Sequence, residues 1–393
     1  MDHHQTSNAP TIACMNVRYS PNLGDGLLAE CLEHVLRDHG AAPATRSIDL
    51  AGRTRYGQQM AGRGAIMTVL EALPPGLRQT AIRLPLAVQS QRKWGPHYDA
   101  GLVGAQAVAI GGGNLIADLD LNFPTKLRLA MDHAHRRALP AAVFGCGMSA
   151  GWSTEGLRRL KTAFAKDNLR AVYLRDAASK DLWDMLVAPA TGHTATVVRD
   201  PGLLASNVWP HRGVASGRIG VGVMSHIAIR YHGQTGISAP MLERWYLDLI
   251  DALQRAGREV VVFTNGSAED VALLTRLQPS FKPGVVVANP QTPEELARLI
   301  AACTGIVAFR MHAIIAAYSY GVPALALAWD TKLRSFMASV NRADWLHEPA
   351  VLPAAEAAQL IMTGAEEGVD DALRRTVLAE ARADVGKLLA VLR

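Results

Sequence analysis

The chain has 393 residues, of which 49% are hydrophobic and 19% are charged, and its formal net charge is +5. This composition is typical of a globular protein long enough for two domains. The mild positive charge favours acidic ligands, but neither the charge nor the 6% of aromatic residues fits nucleic-acid binding, so no nucleic acid is expected as a partner.

The cysteines stand far apart in the sequence: Cys14, Cys31, Cys146 and Cys303. No two form a CxxC pair, so neither a zinc site nor a disulfide framework is predicted. The polar first ten residues are not followed by an apolar signal segment, and no apolar run approaches the ~20 residues of a membrane helix. Reduced thiols without such signals predict a cytoplasmic enzyme.

The first predicted strand, residues 11–15, leads through a glycine-containing turn into an amphipathic helix that ends at Gly40. Asn22, Gly24 and Asp25 occupy that turn. Glycine lets a ligand approach the backbone, and a helix N-terminus offers unpaired N–H groups. The turn is therefore a candidate ligand contact, although Asp25 can instead be only the helix cap.

Residues 53–95 are strongly basic, since seven Arg and Lys residues face a single acid, Glu71. A basic and partly amphipathic insertion can rest on an anionic membrane surface or on a lipid-linked diphosphate acceptor. A solvated helical hairpin is the alternative, because runs of charge are usually solvent-exposed.

Residues 105–110 and 141–144 are predicted strands that lead into glycine-rich segments, residues 111–114 and 145–151. Strands that end in such breaks, with helices between them, are typical of a doubly wound parallel sheet. Because ligands of these sheets bind at the carboxyl ends of the strands, the breaks are expected along one rim.

Two more predicted strands end directly before arginine–aspartate pairs, the first at Arg175 and the second at Arg199. Arg175 is therefore expected at the same rim, where its guanidinium group can bind an anion. For Arg199 and Asp200 we favour a structural salt bridge between the two neighbours.

The most informative stretch is residues 305–336. It predicts a strand that runs directly into Arg310 and His312, a helix that ends at Gly321, and a second short strand that leads to Lys332. Two cations and a titratable imidazole thus gather at one rim of a sheet, and this predicts a site for an anion.

Residues 205–217 contain Pro and Gly with little periodicity and are the predicted linker. We therefore predict an α/β protein with two Rossmann-like domains that face each other across a cleft. The first domain is expected at residues 1–210 and the second at 211–350. Residues 351–393 are predicted C-terminal helices, which can pack back on the first domain.

In these residues the chain resembles the polysaccharide pyruvyl transferase family, whose fold is similar to that of GT-B glycosyltransferases. The resemblance covers roughly residues 12–340 and rests on an ordered set of motifs: Asn22 to Asp25, Gly111 to Asn114, Gly145 to Gly147, Arg175-Asp176 with Ser179, Asp200-Pro201, Arg310 with His312, Gly321 with Pro323, and Lys332. It implies transfer of an enolpyruvyl-derived group from phosphoenolpyruvate to a sugar, generally as a cyclic pyruvate ketal.

The resemblance and the chemistry together assign roles to individual residues. The expected donor-binding residues are Arg310, Lys332, Arg175 and His312. The expected acceptor-binding residues are Asn22, Gly24, Gly113, Asn114 and Gly147. His312 is expected to donate a proton because the usual pKa of histidine is near the working pH, and Asp25 to take a proton from the acceptor hydroxyl. No metal or further cofactor is expected.

Two other functions stay open from the sequence. A GT-B glycosyltransferase would use the same cations to hold the diphosphate of a nucleotide sugar, and a glycan-binding protein on this fold would catalyse nothing. The expected partners are phosphoenolpyruvate and a sugar or lipid-linked oligosaccharide, with contact at the inner face of an anionic membrane. The sequence does not indicate an oligomeric state.

Overall fold

The computed structural model describes residues 9–58, 85–211, 217–227 and 237–393. The central part of the basic segment predicted at residues 53–95 lies outside the described residues, and so does the membrane contact expected there. At its N-terminal end, Arg53 is not a solvated charge. Its side chain is 7% exposed, and its Nε lies 3.1 Å from Oδ1 of the buried Asp49.

The first half of the chain forms a parallel six-stranded sheet with the order β2-β1-β3-β4-β5-β6. Its strands are β1 Ile12–Asn16, β2 Arg46–Asp49, β3 Ala107–Ile116, β4 Ala141–Met148, β5 Leu169–Leu174 and β6 Ala195–Val197. The central strands are almost continuously apolar because helices cover both faces of a parallel sheet.

The second half forms another parallel six-stranded sheet with the order β12-β11-β10-β7-β8-β9. Its strands are β7 Ile219–Gly222, β8 Val260–Phe263, β9 Val285–Val287, β10 Gly305–Ala308, β11 Ala324–Leu327 and β12 Leu346–His347. The predicted α/β class with two Rossmann-like domains is confirmed.

Helices connect the strands and close both sheets. They are α1 Leu23–Asp38, α2 Gly95–Gly101, α3 Asn122–Arg136, α4 Thr154–Phe164, α5 Ala177–Leu186, α6 Ala188–Thr191, α7 Ala205–Val208, α8 Ala239–Arg255, α9 Ala268–Leu277, α10 Pro293–Ala301, α11 Met311–Tyr320, α12 Thr331–Ser339, α13 Ala354–Glu367 and α14 Asp371–Leu392. One π-helical turn, Ser90–Trp94, precedes α2, and shorter 3₁₀ turns lie at Leu119–Leu121, Pro201–Leu204, Gln278–Ser280 and Ala343–Trp345. Among the described residues, no helix is long and apolar enough to cross a bilayer.

Helix α1 begins earlier than the sequence predicts. Its cap is Asn22, whose side-chain oxygen accepts a hydrogen bond from the Gly24 N–H at 3.2 Å. Gly24 and Asp25 therefore lie in the first helical turn and not in a loop, and Asp25 is not the cap. The apolar spacing from Leu27 onward marks only the buried part of the helix, so it places the start several residues too late.

The glycine-rich segments are not the loops that the sequence predicts. Gly111 to Asn114 continue β3, and Gly145 to Met148 continue β4. The two strands stay paired there, with a shift in register between Gly113 and Ile116. Glycine permits this because the φ angles of Gly112 and Gly113 are +86° and +72°, in the left-handed region that other residues rarely adopt.

The last helix, α14, packs on the first domain. The backbone N–H of Arg199 donates to Oδ2 of Asp384 at 2.8 Å. Arg382 forms a salt bridge of 3.2 Å with Asp38 at the end of α1. Since the second sheet precedes this helix in sequence, the C-terminal segment connects the two domains a second time.

Candidate active site

The site lies where the N-termini of α1 and α11 meet between the two sheets. Strand order reverses at β1 and β3 in the first sheet and at β7 and β10 in the second, and ligands bind at such switch points. The contact is close, because a Cβ added to Gly24 would lie 2.7 Å from Cβ of His312. Nearby, the Leu23 N–H donates to the backbone oxygen of Asn265 at 2.7 Å. Gly24 is therefore needed for close contact between the domains.

Arg175 follows β5 and points its charge into the space between the domains. Its side chain is only 4% exposed, and the closest nitrogen–oxygen distances to Asp176 and Asp200 are 3.7 and 3.6 Å. Gly147 makes room for the guanidinium, since a Cβ there would lie 2.7 Å from Nη2 of Arg175. These ion pairs are long, so the guanidinium keeps hydrogen-bonding capacity for a ligand.

Lys332 reaches the same space from the second domain. It lies in the first turn of α12, which Asp330 caps by accepting from the Leu333 N–H at 2.9 Å. Arg175 and Lys332 line one cleft of about 840 Å³. Burial, and then the nearby positive charge of Arg175, lower the pKa of Lys332 to about 8. The lysine is therefore still mostly charged at neutral pH.

His312, in the first turn of α11, is 8% exposed. Burial lowers its pKa to about 3, and the charges of Arg175 and Arg310 act in the same direction. The expectation that its pKa is near the working pH was wrong for the ligand-free protein, where the imidazole is neutral. Its Nε2 is buried without a hydrogen-bond partner in the described part of the chain.

The pKa of Asp25 is shifted upward, in the opposite direction to that of His312. Burial raises the pKa of its carboxyl to about 6, against the effects of a hydrogen bond from Ser20 and of the positive charges of Arg53, Arg310 and Arg175. Its Oδ1 would lie 3.4 Å from a Cβ on Gly113, so the carboxylate lies against the extended end of β3. Asp25 is thus mostly ionised at neutral pH.

Arg310 is largely committed to a partner that the sequence did not reveal. Its Nε and Nη2 donate to Oδ2 of Asp270 at 2.9 and 2.6 Å. Asp270 is fully buried and also accepts from the Ser225 N–H at 2.8 Å through Oδ1. The edge of Arg310 that includes Nε and Nη2 is therefore occupied, so the expected binding of the donor by Arg310 stays a prediction that cannot use this edge.

Replacing Asp270 with alanine should lower the free energy of unfolding by about 3–5 kcal/mol, because it leaves the guanidinium of Arg310 enclosed without its carboxylate. Chemical denaturation followed by circular dichroism measures this loss. Glu269 is the matched control, since its side chain is 40% exposed and lies 3.9 Å from Arg310. Glu269→Ala should change the stability by at most about 1 kcal/mol. Equal losses in the two variants would contradict the importance of the buried pair.

The five expected acceptor residues have different structural roles, and their contact with an acceptor stays a prediction. Asn22 caps α1, Gly24 contacts His312, and Gly113 contacts Asp25. Asn114 donates through Nδ2 to Oγ of Ser149 at 2.9 Å, and Gly147 packs on Arg175. Four of the five residues thus shape the site through the backbone or as a helix cap: Asn22, Gly24, Gly113 and Gly147.

The expected salt bridge between Arg199 and Asp200 was wrong. Arg199 lies 2.9 Å from Glu380 of α14, whereas Asp200 faces Arg175 and caps the Pro201–Leu204 turn. Adjacent residues of an extended segment point in opposite directions, so each finds a partner distant in sequence. Asp200 is thereby a further residue of the site.

The sequence profile of polysaccharide pyruvyl transferases matches residues 22–331, which is most of the chain. The chain belongs to the polysaccharide pyruvyl transferase family. The protein is therefore a member of a family of transferases that act on polysaccharides. No curated protein matches the chain in sequence. Within the described residues, no group of three or more His, Cys, Asp or Glu side chains could hold a metal ion, and metal-free chemistry stays a prediction.

Solved structures similar to this one contain the same two-domain fold. The UDP-GlcNAc 2-epimerase of Methanocaldococcus jannaschii has a TM-score of 0.54 at 7% identity, over 97% of this chain and 98% of the other. The Neisseria meningitidis UDP-GlcNAc 2-epimerase bound to UDP-GlcNAc has a TM-score of 0.52 at 11% identity, over 97% of this chain and 99% of the other. A UDP-glucosyltransferase of Polygonum tinctorium has a TM-score of 0.51 at 10% identity, over 98% of this chain and 99% of the other. At these identities the likeness shows the GT-B-like fold alone.

Proposed function

We propose that this pyruvyl transferase family member moves the enolpyruvyl-derived group of phosphoenolpyruvate onto sugar hydroxyls, forming a pyruvate ketal and releasing phosphate. The acceptor is a polysaccharide or its lipid-linked precursor. The observation that carries the proposal is that Arg175 and Lys332, one from each domain, line the same cleft. The charge of Arg175 acts on the groups beside it, since it lowers the pKa values of His312 and Lys332.

Phosphoenolpyruvate carries a phosphate and a carboxylate, and two cations of different shape suit it. The planar guanidinium of Arg175 can bind two oxygens at once, whereas the ammonium of Lys332 acts as a point charge. Arg310 is held by Asp270, so its role in the proposal is to add positive charge next to His312. Because the two binding cations come from different domains, donor binding would also favour a closed arrangement of the domains.

Ketal formation needs a proton at C3 of the donor and a nucleophile at C2. In the proposed reaction, His312 protonates C3 and one sugar hydroxyl attacks C2, while Asp25 accepts the proton of that hydroxyl. Cleavage of the bond between C2 and the phosphate oxygen then releases phosphate. A second hydroxyl of the same sugar adds to C2, its proton leaves with the phosphate, and the ring of the ketal closes.

The low pKa of His312 must rise before it can donate a proton. Arg175 and Arg310 both lower it, and a bound phosphate and carboxylate would offset these charges. Donor binding would therefore protonate His312 only in the complex, when the proton is needed. Asp25, with a pKa of about 6, is mostly ionised at neutral pH before donor binding and can accept the hydroxyl proton.

The test is an assay with phosphoenolpyruvate and a panel of glycans and lipid-linked oligosaccharides. We expect release of inorganic phosphate that depends on the glycan, and a product heavier by one pyruvic acid minus one water. Each cation of the cleft could also hold a diphosphate, so the same panel is run with UDP-sugars. Glycosyl transfer from a UDP-sugar, without turnover of phosphoenolpyruvate, would contradict the proposal.

The affinity for phosphoenolpyruvate should fall as the pH rises through about 8. The pKa of Lys332 is lowered to about 8, so above that pH a proton must be taken up before the ammonium can bind the anion. The loss should approach about tenfold per pH unit. Isothermal titration calorimetry between about pH 7 and pH 10 measures it.

Lys332→Arg is the matched control for this pH dependence. Arginine stays charged over the whole range, so the affinity of that variant should not fall near pH 8. An affinity that is independent of pH in the unmodified protein would show that Lys332 does not bind the donor.

A further inference from the structure

A second cavity lies between the domains, close to the reaction site. It has a volume of about 470 Å³ and is lined by segments that follow strands of both sheets. Tyr19 to Leu23 follow β1, residues 266–272 follow β8, and residues 289–291 follow β9. The cavity is therefore on the same rim of the sheets as the cation-lined cleft, and its size is within the ~300–1,000 Å³ of small-molecule sites.

The two cavities differ in charge. The cleft of Arg175 and Lys332 is also lined by Arg199, Lys387 and several acids. None of the described residues that line the second cavity is charged. Its polar groups are the amides of Gln58, Asn289 and Gln291 and the hydroxyls of Tyr19 and Ser20. An anionic donor gains nothing from such a lining, whereas neutral sugar hydroxyls are matched by amides and hydroxyls.

Tyr19 is held in a defined position. Its backbone N–H donates to Oδ2 of Asp49 at 2.9 Å, and its ring meets the ring of Tyr56 edge to face, with centroids 5.1 Å apart. The guanidinium of Arg18 lies over this ring, 5.4 Å from its centroid, and also holds it in place. A fixed aromatic ring with a polar hydroxyl can offer its remaining apolar surface to the C–H face of a sugar at little entropic cost. At the opposite side, Nε2 of Gln291 donates to the backbone oxygen of Asn289 at 3.0 Å, which orients that amide.

Ser20 connects this cavity to the candidate catalytic carboxylate. It lines the cavity, and Asp25 follows it by five residues in the first turn of α1. Its Oγ also accepts from the Asn22 N–H at 3.3 Å, which fixes its position beside the start of α1. On its other side, the Asp25 carboxylate lies against Gly113, which pairs with Cys146 next to the Gly147 that packs on Arg175. The carboxylate is therefore between Ser20 of one cavity and Arg175 of the other.

We infer that the uncharged cavity binds the acceptor as a neutral sugar, with Tyr19 as its stacking surface and the amides of Gln58, Asn289 and Gln291 as hydrogen-bonding partners. This inference rests on the proposed function. The donor enters from the cation-lined cleft and the sugar from the opposite side, so that a sugar hydroxyl near Ser20 reaches Asp25. Anionic parts of a larger acceptor, such as a lipid diphosphate, lie outside this cavity.

The test uses the full-length protein and two kinds of variant. Tyr19→Ala removes the ring, and Tyr19→Phe keeps it. Ala268→Trp fills the cavity, because Ala268 is an exposed lining residue in the first turn of α9. Ala372→Trp is its matched control, since Ala372 is an exposed alanine in the first turn of α14 and is not a lining residue.

The probes are phosphoenolpyruvate and a panel of methyl glycosides of neutral hexoses and N-acetylhexosamines. Calorimetry gives the Kd of phosphoenolpyruvate, and saturation-transfer NMR at saturating donor gives glycoside binding. Phosphate release gives the KM of each glycoside that is turned over. We expect Tyr19→Ala and Ala268→Trp to weaken glycoside binding at least about tenfold, with the Kd of phosphoenolpyruvate changed less than about twofold. Tyr19→Phe and Ala372→Trp should behave as the unmodified protein.

Several results would overturn the inference without touching the proposed function. They are glycoside binding that is unchanged in both cavity variants, loss of phosphoenolpyruvate binding in Ala268→Trp, and donor binding without any glycoside binding. Failure of the unmodified protein to bind phosphoenolpyruvate would instead contradict the proposed function. The two failures are thus distinguished by the calorimetric measurement alone.

Discussion

Replacing Arg175 with methionine should lower kcat/KM for phosphoenolpyruvate by at least about 1,000-fold, which is a typical loss when a preorganised charge is removed from a transition state. The side chain is 4% exposed and lines the same cleft as Lys332, and its charge lowers the pKa values of Lys332 and His312. In the proposed reaction it neutralises charge that develops on the departing phosphate. Arg175→Lys should recover only part of the activity, because the planar fork is lost.

Arg175→Met has a second expected effect, which would not follow if Arg175 had only a structural role. Arg175 lowers the pKa of Lys332, so without it that pKa should rise. The loss of donor affinity with pH should then begin above about pH 8, at a higher pH than in the unmodified protein. Calorimetric titrations of the two proteins over the same pH range measure the difference.

Arg170→Met is the matched control for Arg175→Met. Arg170 is also on β5, but its side chain is exposed and donates to the backbone oxygen of Asp167 at 3.0 Å. It should leave kcat/KM within about twofold of the unmodified value. Activity that survives Arg175→Met would remove the cation-lined cleft as the donor site.

His312→Asn should lower kcat by at least about 1,000-fold, because an asparagine can hydrogen-bond but cannot supply the proton for C3. The Kd of phosphoenolpyruvate should change much less than kcat, since the cations stay in place. In deuterated water, the unmodified protein should place one deuterium in the methyl group of the ketal. His135→Asn is the control, because the side chain of His135 is 45% exposed and pairs with Asp167 on the surface.

The pKa of His312 provides an independent check on its role. Nitrogen-15 NMR of the histidines should show a neutral imidazole in the free protein and a protonated one with phosphoenolpyruvate bound. If His312→Asn keeps its kcat while Asp25→Asn loses deuterium incorporation, the two groups have exchanged roles. Asp25, whose pKa is raised to about 6, would then be the acid.

Local sequence signals predicted those parts of the structure that depend on neighbouring residues. Gly321 ends α11 with a φ of +74°, as the sequence predicted. This helix end follows from a rule that acts within a few residues of the chain. The alternation of apolar strands with helices likewise sufficed to predict both parallel sheets.

Long-range contacts explain what the sequence could not predict. Arg310 and Asp270 are 40 positions apart, and only the fold of the second domain brings the first turn of α9 next to the end of β10, where Arg310 lies. The low pKa of His312 arises from burial and from Arg175 of the other domain. The sequence also predicted that β3 and β4 end before their glycine-rich segments. Both strands continue through these segments because they stay paired with each other there.

The two cavities suggest how one reaction centre keeps an anionic donor and a neutral acceptor apart. Arg175 and Lys332 attract the donor on one side, and Tyr19 with its neighbouring amides offers an uncharged surface on the other. Asp25 and His312 lie at the first turns of the two helices that meet between them. In the proposed mechanism, transfer occurs across that contact between the domains.

The most direct test of the transfer is NMR with phosphoenolpyruvate that carries carbon-13 at C2, together with an accepted glycan. We predict that the labelled carbon becomes a ketal carbon bonded to two oxygens of one sugar, as phosphate appears in equal amount, and that Arg175→Met and His312→Asn do not form this signal. Label that remains in phosphoenolpyruvate, or that appears only in free pyruvate, would contradict the proposed transfer.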